Sequence, residues 1–123
     1  MASWQLGEIE ARFADIIWEN EPLSSATLVK YGEELLGWKK STTYTVLKRL
    51  CDKGIFRNER GTVSAVVKRD DFYARQTEQF VDDTFGGSLP AFLAAFTSRK
   101  TLTAAEVEAL RKLVAAYGGD SRG

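Results

Sequence analysis

The change in residue pattern at Gly54 constrains the fold of this 123-residue chain more than any other feature. Before it, apolar residues recur at the three- and four-residue spacing of amphipathic helices. After it, the stretch IFRNERGTVSAVV places β-branched and aromatic residues on both sides of Glu59-Arg60-Gly61. Such a stretch is typical of two short strands joined by a tight turn. The chain is therefore expected to pass from helices into a β-hairpin at this point.

Three amphipathic helices are predicted before Gly54. The first covers residues 6–18 and is broken by Asn20-Glu21-Pro22. The second is capped by Ser24 or Ser25 and ends at Gly37. Its predicted apolar residues are Leu28, Val29, Leu35 and Leu36.

The third helix begins near Lys40 and Ser41 and separates two chemically different faces. The face expected to be buried consists of Thr43, Val46, Leu47 and Leu50. The opposite, polar face consists of Ser41, Thr42, Thr45, Lys48 and Arg49.

Three more helical segments are predicted after the hairpin. One runs from Asp70 to Gly86-Gly87, one is capped by Ser88, and the last opens with a capping box at Thr103. The predicted fold class is mainly α with a small β-hairpin. A first domain over residues 1–70 would hold the three helices and the hairpin, and a second over residues 71–123 would be helical.

Three helices followed by a hairpin is the element order of the winged helix-turn-helix. In that fold the third helix enters the major groove of DNA and the hairpin, the wing, presses on the adjacent backbone. Serine and threonine are short enough to let a helix approach base edges, whereas lysine and arginine neutralise phosphates. The predicted DNA-binding residues are Lys39, Lys40, Ser41, Thr42, Thr45, Arg49, Arg57 and Arg60.

These residues have different expected roles. Lys39, Lys40 and Arg49 are assigned mainly to phosphates. Ser41, Thr42 and Thr45 are assigned to base edges or nearby phosphates, and Arg57 and Arg60 to the backbone contact of the wing.

The distribution of charge supports this interpretation although the formal net charge is zero. Residues 38–60 carry seven cations and two carboxylates, a net charge of +5, and the remainder carries ten cations and fifteen carboxylates, a net charge of −5. Such segregation is typical of nucleic-acid binders, but a basic face can also bind an acidic protein. The alternative function is a winged-helix module that binds another protein through this face. The simplest interpretation of the helix is an ordinary solvated face with no ligand.

Missing residue types argue against other classes of function. The chain has no histidine and one cysteine, Cys51, so a zinc or copper site and a histidine-activated nucleophile are not expected. We expect no enzyme activity, no cofactor and no metal. Cys51 and the tryptophans, Trp4, Trp18 and Trp38, are expected to be packing residues. The absence of a signal peptide and of a membrane-spanning stretch predicts a cytoplasmic protein.

The segment WKKSTTYTVLKRLCDKG resembles the penicillinase-repressor family (BlaI/MecI/CopY) of bacterial transcriptional repressors. In that family a tryptophan precedes the recognition helix, threonines recur within it, and an Arg-Leu pair precedes a Lys-Gly stop. The matching residues here are Trp38, Thr42, Thr45, Arg49-Leu50 and Lys53-Gly54. The chain departs from the family pattern in the wing, where it has Gly61-Thr62 and Val66 instead of Gly-Arg and a tyrosine. It also lacks the Cys-x-Cys motifs of copper-responsive members.

The resemblance implies a homodimer on a pseudo-palindromic operator, with the C-terminal helices pairing the subunits. The apolar content of those helices agrees, because it exceeds what short helices can bury among themselves. The predicted dimerisation residues are Phe80, Phe85, Leu89, Phe92, Leu93, Phe96, Leu110, Leu113 and Val114.

The resemblance also implies a route of release from DNA. In the penicillin-responsive branch a protease cuts an Asn-Phe bond in the C-terminal helices, and the aligned pair here is Ala95-Phe96. A regulatory protease is therefore a candidate partner and Ala95-Phe96 a candidate cleavage bond. The simpler interpretation is that Phe96 is packed in the core.

Overall fold

The computed structural model describes residues 5–118, which fold into helices and one small sheet. Trp4 lies outside the described residues. The helices are α1 (Glu8–Asn20), α2 (Ser25–Tyr31), α3 (Lys40–Asp52), α4 (Arg69–Phe85), α5 (Leu89–Thr97) and α6 (Ala104–Tyr117), and a π-helical turn, Gly32–Leu36, follows α2. The strands are β1 (Leu23–Ser24), β2 (Phe56–Glu59) and β3 (Thr62–Ala65). The predicted fold class, mainly α with a small hairpin, is confirmed.

The chain divides into two compact units, one ending at Gln79 and one beginning at Phe80. The first unit has a continuous hydrophobic core built from α1, α2, α3, the sheet and the start of α4. Its buried members are Phe13, Ala14, Ile16, Ile17, Leu23, Leu28, Val46, Leu47, Leu50, Ile55, Phe56, Val63 and Phe72.

Two tryptophans and the cysteine pack against this core, as the sequence predicts. The ring of Trp38 lies 5.0 Å from that of Phe13, centroid to centroid. The indole N–H of Trp18 donates to the carbonyl of Val67 at 2.9 Å, so its polar atom is satisfied. Burial raises the pKa of the Cys51 thiol, and the nearby carboxylate of Asp52 adds to that rise. Cys51 is therefore a structural residue.

The predicted hairpin is present, and it is joined by a strand that the sequence does not reveal. The sheet is antiparallel in the order β1-β3-β2, with Leu23 opposite Val63 and Phe56 opposite Ala65. Both central residues of the β2–β3 turn have positive φ, 52° at Arg60 and 84° at Gly61, as hairpin turns that follow the strand twist require. β1 has two residues next to Pro22, too few to show an alternating pattern.

The π-helical turn changes which residues of the second helical segment are buried. Its wider winding ends at Gly37, which closes the segment with a φ of 67°. Leu35, predicted to be apolar packing, is 53% exposed, because the wider turn rotates it away from the core. Gly32 lies where this turn meets α3, and a Cβ at Gly32 would be 2.5 Å from the hydroxyl oxygen of Thr43. Glycine therefore allows the close contact between the turn and α3.

The second unit is helical and has little buried apolar surface of its own. Ser88 caps α5 by accepting from the amide of Ala91 at 3.0 Å. The capping box predicted at the start of α6 is confirmed by reciprocal bonds between Thr103 and Glu106. No residue of α5 or α6 is buried.

Candidate nucleic-acid interface

Helix α3 buries the face that the sequence predicts and presents the other to solvent. Thr43, Val46, Leu47 and Leu50 are buried. Ser41, Tyr44, Thr45, Lys48 and Arg49 are exposed, and Lys39 and Lys40 are exposed at the N-terminal end. Thr42 is half-buried at the edge of this surface. We call the exposed side of α3, with Lys39, the reading surface.

A hydroxyl on the reading surface already has a backbone partner. The Thr45 hydroxyl donates to the carbonyl of Ser41 at 2.9 Å. Its oxygen keeps lone pairs that can accept from an exocyclic amino group of adenine or cytosine, and its methyl group is available for an apolar contact.

One edge of the reading surface is formed by Arg49 and the start of α1. The Arg49 guanidinium lies 3.3 Å from a carboxylate oxygen of Glu10, whose other oxygen accepts from the amide of Gly7 at 3.3 Å. Burial alone would raise the pKa of Glu10, but the Gly7 amide, Arg49 and Lys53 together lower it below 4.5. Arg49 is thus oriented by a carboxylate that is held in its charged form.

The opposite edge is formed by Tyr44, the start of α2 and the turn of the wing. The Tyr44 hydroxyl donates to the hydroxyl oxygen of Ser25 at 3.3 Å. The amide of Ser25 in turn donates to the carbonyl of Gly61 at 2.8 Å. These bonds connect α3 through α2 to the tip of the hairpin, so the reading surface and the wing are held in one arrangement.

The wing places both predicted arginines in solvent. Arg57 is exposed and lies 3.3 Å from the carboxylate of Glu59. Arg60 is exposed at the tip of the turn, where the Asn58 side chain accepts from the amide of Gly61 at 3.1 Å. Glu59, Arg60, Thr62 and Ser64 line a shallow groove beside the turn.

The base of the wing is tied to the helices by charged side chains. One oxygen of Glu21 accepts from the amide of Ala65 at 2.8 Å, and the other lies 3.4 Å from the Lys68 ammonium. Arg69 bridges to Asp15 at 3.3 Å and to Glu19 at 3.4 Å. The hairpin is therefore supported at its open end as well as at its tip.

Two residues of this site are missing from the sequence prediction. Tyr44 precedes Lys48 by four residues and follows Ser41 by three, so its helical spacing was an available signal. Glu10 gave no local signal, because it lies 39 residues from Arg49 in the sequence.

The predicted dimerisation residues form a second surface, in the unit that begins at Phe80. Aromatic rings follow one another along α4 and α5, with centroid distances of 6.2 Å from Phe80 to Phe92 and 6.4 Å from Phe92 to Phe96. Phe85, Phe92, Leu93 and Leu110 are half-buried. Phe80, Leu89, Phe96, Leu113 and Val114 are between 44% and 67% exposed. Phe96 is therefore not a core residue of the single chain, contrary to the simpler interpretation.

Residues 5–118 contain neither a metal-binding cluster nor a membrane-spanning helix. No group of three or more aspartate, glutamate, cysteine or histidine side chains within that range is placed to hold a metal ion. Within the same range, every helix is too short or too polar to cross a membrane.

Comparison with known proteins agrees with the fold and with the pattern of α3. Residues 6–116 match the model of the penicillinase repressor family. The chain is similar to the methicillin resistance regulatory protein MecI of Staphylococcus aureus strain Mu50, with 20% identity over 116 residues that cover 91% of this chain and 94% of that protein. Because the family match extends over nearly the whole chain, the protein belongs to the penicillinase-repressor family of DNA-binding transcriptional repressors.

Proposed function

We propose that this protein is a homodimeric repressor that inserts α3 into the major groove of a pseudo-palindromic operator. The observation that carries the proposal is the reading surface: short hydroxyl side chains are flanked by cations and held next to a basic wing. A helix with short polar side chains at its centre can approach base edges, and cations at its ends can reach the phosphates on either side.

The roles proposed for individual residues follow their positions. Lys39 and Lys40 at the N-terminal end of α3 and Arg49 at one edge contact phosphates, because each is exposed and long. Ser41, Thr42 and Thr45 contact base edges or nearby phosphates. Arg57 and Arg60 contact the backbone beside the groove.

The second unit supplies the proposed dimer contact. A repressor with a domain over residues 1–70 for DNA and a domain over residues 71–123 for pairing would cover the exposed apolar side chains of α5 and α6 with a second copy. Two copies of α3 would then face successive major grooves about 34–36 Å apart, or a multiple of that distance.

Proteolysis between Ala95 and Phe96 is the proposed route of release. Both residues are exposed in α5, and a cut there separates α6 from the rest of the dimer contact. Each winged helix would then bind a half-site alone, and the loss of tethering lowers the affinity by a factor on the order of a hundred to ten thousand.

Selection of preferred sequences from random duplex DNA, followed by footprinting and a salt titration, tests the proposal. We expect a two-fold sequence, and a loss of roughly 0.9 log units of affinity per log unit of salt for each neutralised phosphate. Absence of sequence enrichment together with a flat salt dependence would contradict the proposal. It would favour the alternative, in which the same basic face binds an acidic protein.

A further inference from the structure

Tyr44 is the one large ring on the exposed side of α3. The other large apolar side chains of this helix, Val46, Leu47 and Leu50, are buried, while Tyr44 is 37% exposed. It lies between Ser41, three residues earlier, and Lys48, four residues later, so it shares a face with one residue assigned to DNA and with an exposed cation. An aromatic ring on a surface that is otherwise made of hydroxyls and cations calls for a chemical reason.

The polar end of Tyr44 is already engaged within the protein. Its hydroxyl donates to Ser25, whose own amide is bonded to Gly61 in the wing turn. The ring is therefore held across the edge of the reading surface, and its ring carbons are what it can offer to a ligand. Because the ring is held before binding, little side-chain entropy is lost when it makes a contact.

The major groove offers one apolar group to such a ring. Each base pair presents donors and acceptors there, and thymine also presents its C5-methyl group. Phosphates need donors, and the single O–H of Tyr44 is committed to Ser25. An anchored ring with exposed carbons is therefore better suited to a thymine methyl group than to a phosphate or to a polar base edge.

We propose that Tyr44 is a specificity-determining residue that packs its ring against a thymine methyl group in each half-site, with Ser25 holding the ring in place. This inference rests on the proposed function, because it requires α3 to lie in the major groove. Tyr44 would then distinguish thymine from the other bases by its C5-methyl group.

A scan with uracil tests the contact directly, since uracil differs from thymine only by that methyl group. Each thymine of the selected operator is replaced in turn by uracil, symmetrically in both half-sites, and binding is measured with the full-length wild-type chain and with Tyr44→Ala. At one position we expect the wild type to lose about fourfold in affinity per half-site, about 15-fold for both, the effect of leaving one methyl group unburied. At the same position Tyr44→Ala should bind thymine and uracil equally.

Three further variants separate the ring contact from other causes. Tyr44→Phe keeps the ring but loses the bond to Ser25, so it should be sensitive to uracil at the same position, by a smaller factor than the wild type. Tyr44→Gln, a polar residue that suits a helix, should lose that sensitivity as Tyr44→Ala does, which removes dependence on how well the alanine variant folds. Thr45→Ser removes the neighbouring methyl group of the protein, and it should leave the Tyr44-dependent position unaffected.

The outcomes distinguish this inference from the function on which it rests. If no sequence is enriched, both fail. If an operator is enriched but wild type, Tyr44→Ala and Tyr44→Gln respond alike to every uracil, the repressor function stands and the methyl contact is wrong. If the Tyr44 variants lose affinity relative to the wild type by the same factor on the thymine operator and on the uracil operator, Tyr44 only supports the structure.

Discussion

Apart from Tyr44, the reading surface carries two kinds of side chain, short hydroxyl residues and long cations. Thr45 is short and bonded to its own helix through Ser41. Arg49 is long, exposed and oriented by Glu10. This difference leads to separate expectations for the two residues, because base contacts discriminate between sequences and phosphate contacts do not.

Replacement of Thr45 and of Arg49 by alanine should therefore have different effects. Thr45→Ala should relax the preference for operator over random DNA, with a cost of about 0.5–1.5 kcal/mol confined to the specific sequence. Arg49→Ala should weaken both kinds of DNA and reduce the salt slope by about one per neutralised phosphate. Titration of both variants on operator and random duplexes at several salt concentrations checks this. Equal losses of specific affinity, with equal slopes, would contradict the division of roles.

Glu10 predicts how folding stability depends on pH. Its pKa is lowered in the folded chain, so it binds protons less readily there than in the unfolded chain. Its contribution is therefore present above its ordinary pKa of 4.5 and is lost as the pH falls through the lower folded value. Urea unfolding between about pH 6 and pH 3 should show a smaller loss of stability for Glu10→Gln than for wild type.

The control for this prediction is Glu8→Gln, which makes the same change of charge in the first turn of α1. It should retain the acid-dependent loss that Glu10 causes. If Glu10→Gln and wild type lose stability in parallel, the Glu10–Arg49 pair does not contribute.

The secondary-structure elements show which parts of the fold could be predicted from the sequence. The third helix and the hairpin were predictable because α3 places Val46, Leu47 and Leu50 at helical spacing and because Arg60-Gly61 suits a tight turn. β1 and the π-helical turn were not, since each is specified by its tertiary partner and not by a local pattern. For the same reason the sequence does not predict the role of Glu10, whereas the polar face of α3 could be predicted from its helical periodicity.

The contact between the π-helical turn and α3 makes the fold sensitive to substitution of Gly32. Gly32→Ala should destabilise the fold by about 1–3 kcal/mol, because its Cβ would lie 2.5 Å from the Thr43 hydroxyl oxygen. That oxygen is buried and has no hydrogen-bond partner, so the clash brings no compensating bond. In a Thr43→Ala background the same substitution should cost less, since the clashing atom is gone. Thermal or urea unfolding of the four proteins measures the difference.

Gly7→Ala is the matched control, because the nearest atom to a Cβ at Gly7 is 3.9 Å away. It should cost up to about 1 kcal/mol, because glycine is preferred to alanine at a helix N-cap, and that cost should be the same with Thr43 or Ala at position 43. A loss from Gly32→Ala that is the same with Thr43 or Ala at position 43 would contradict the proposed clash.

For the whole molecule, the exposed apolar side chains of α5 and α6 favour pairing with a second copy of the chain. These helices contain no buried residue, yet their apolar side chains include Leu89, Phe96 and Val114 at 57%, 44% and 67% exposure. Surface of this kind is costly in water and is usually covered by a partner. Dimerisation and operator affinity should therefore be lost together.

Truncation after Ala95 should abolish dimerisation and lower operator affinity by a factor on the order of a hundred to ten thousand. Sedimentation at micromolar concentration and titration with the selected operator measure the two effects. Truncation after Tyr117, which keeps all of α6, is the control and should change neither. Full operator affinity in the 1–95 fragment would show that the dimer does not depend on these helices, and the proposed route of release would fail with it.

The carboxylates beside Arg49 and Arg57 have a consequence for how such a repressor searches a genome. Glu10 and Glu59 each lie 3.3 Å from one of these arginines, well within the distance at which physiological salt leaves charges coupled. Each pair reduces the long-range attraction of the free protein for any stretch of DNA. The positive charge becomes fully available only where phosphates are close enough to take the place of a carboxylate. Encounter with DNA of any sequence is therefore slower than unpaired arginines would make it, and because unrelated DNA carries the same phosphates as an operator, the preference for the operator has to come from the base contacts.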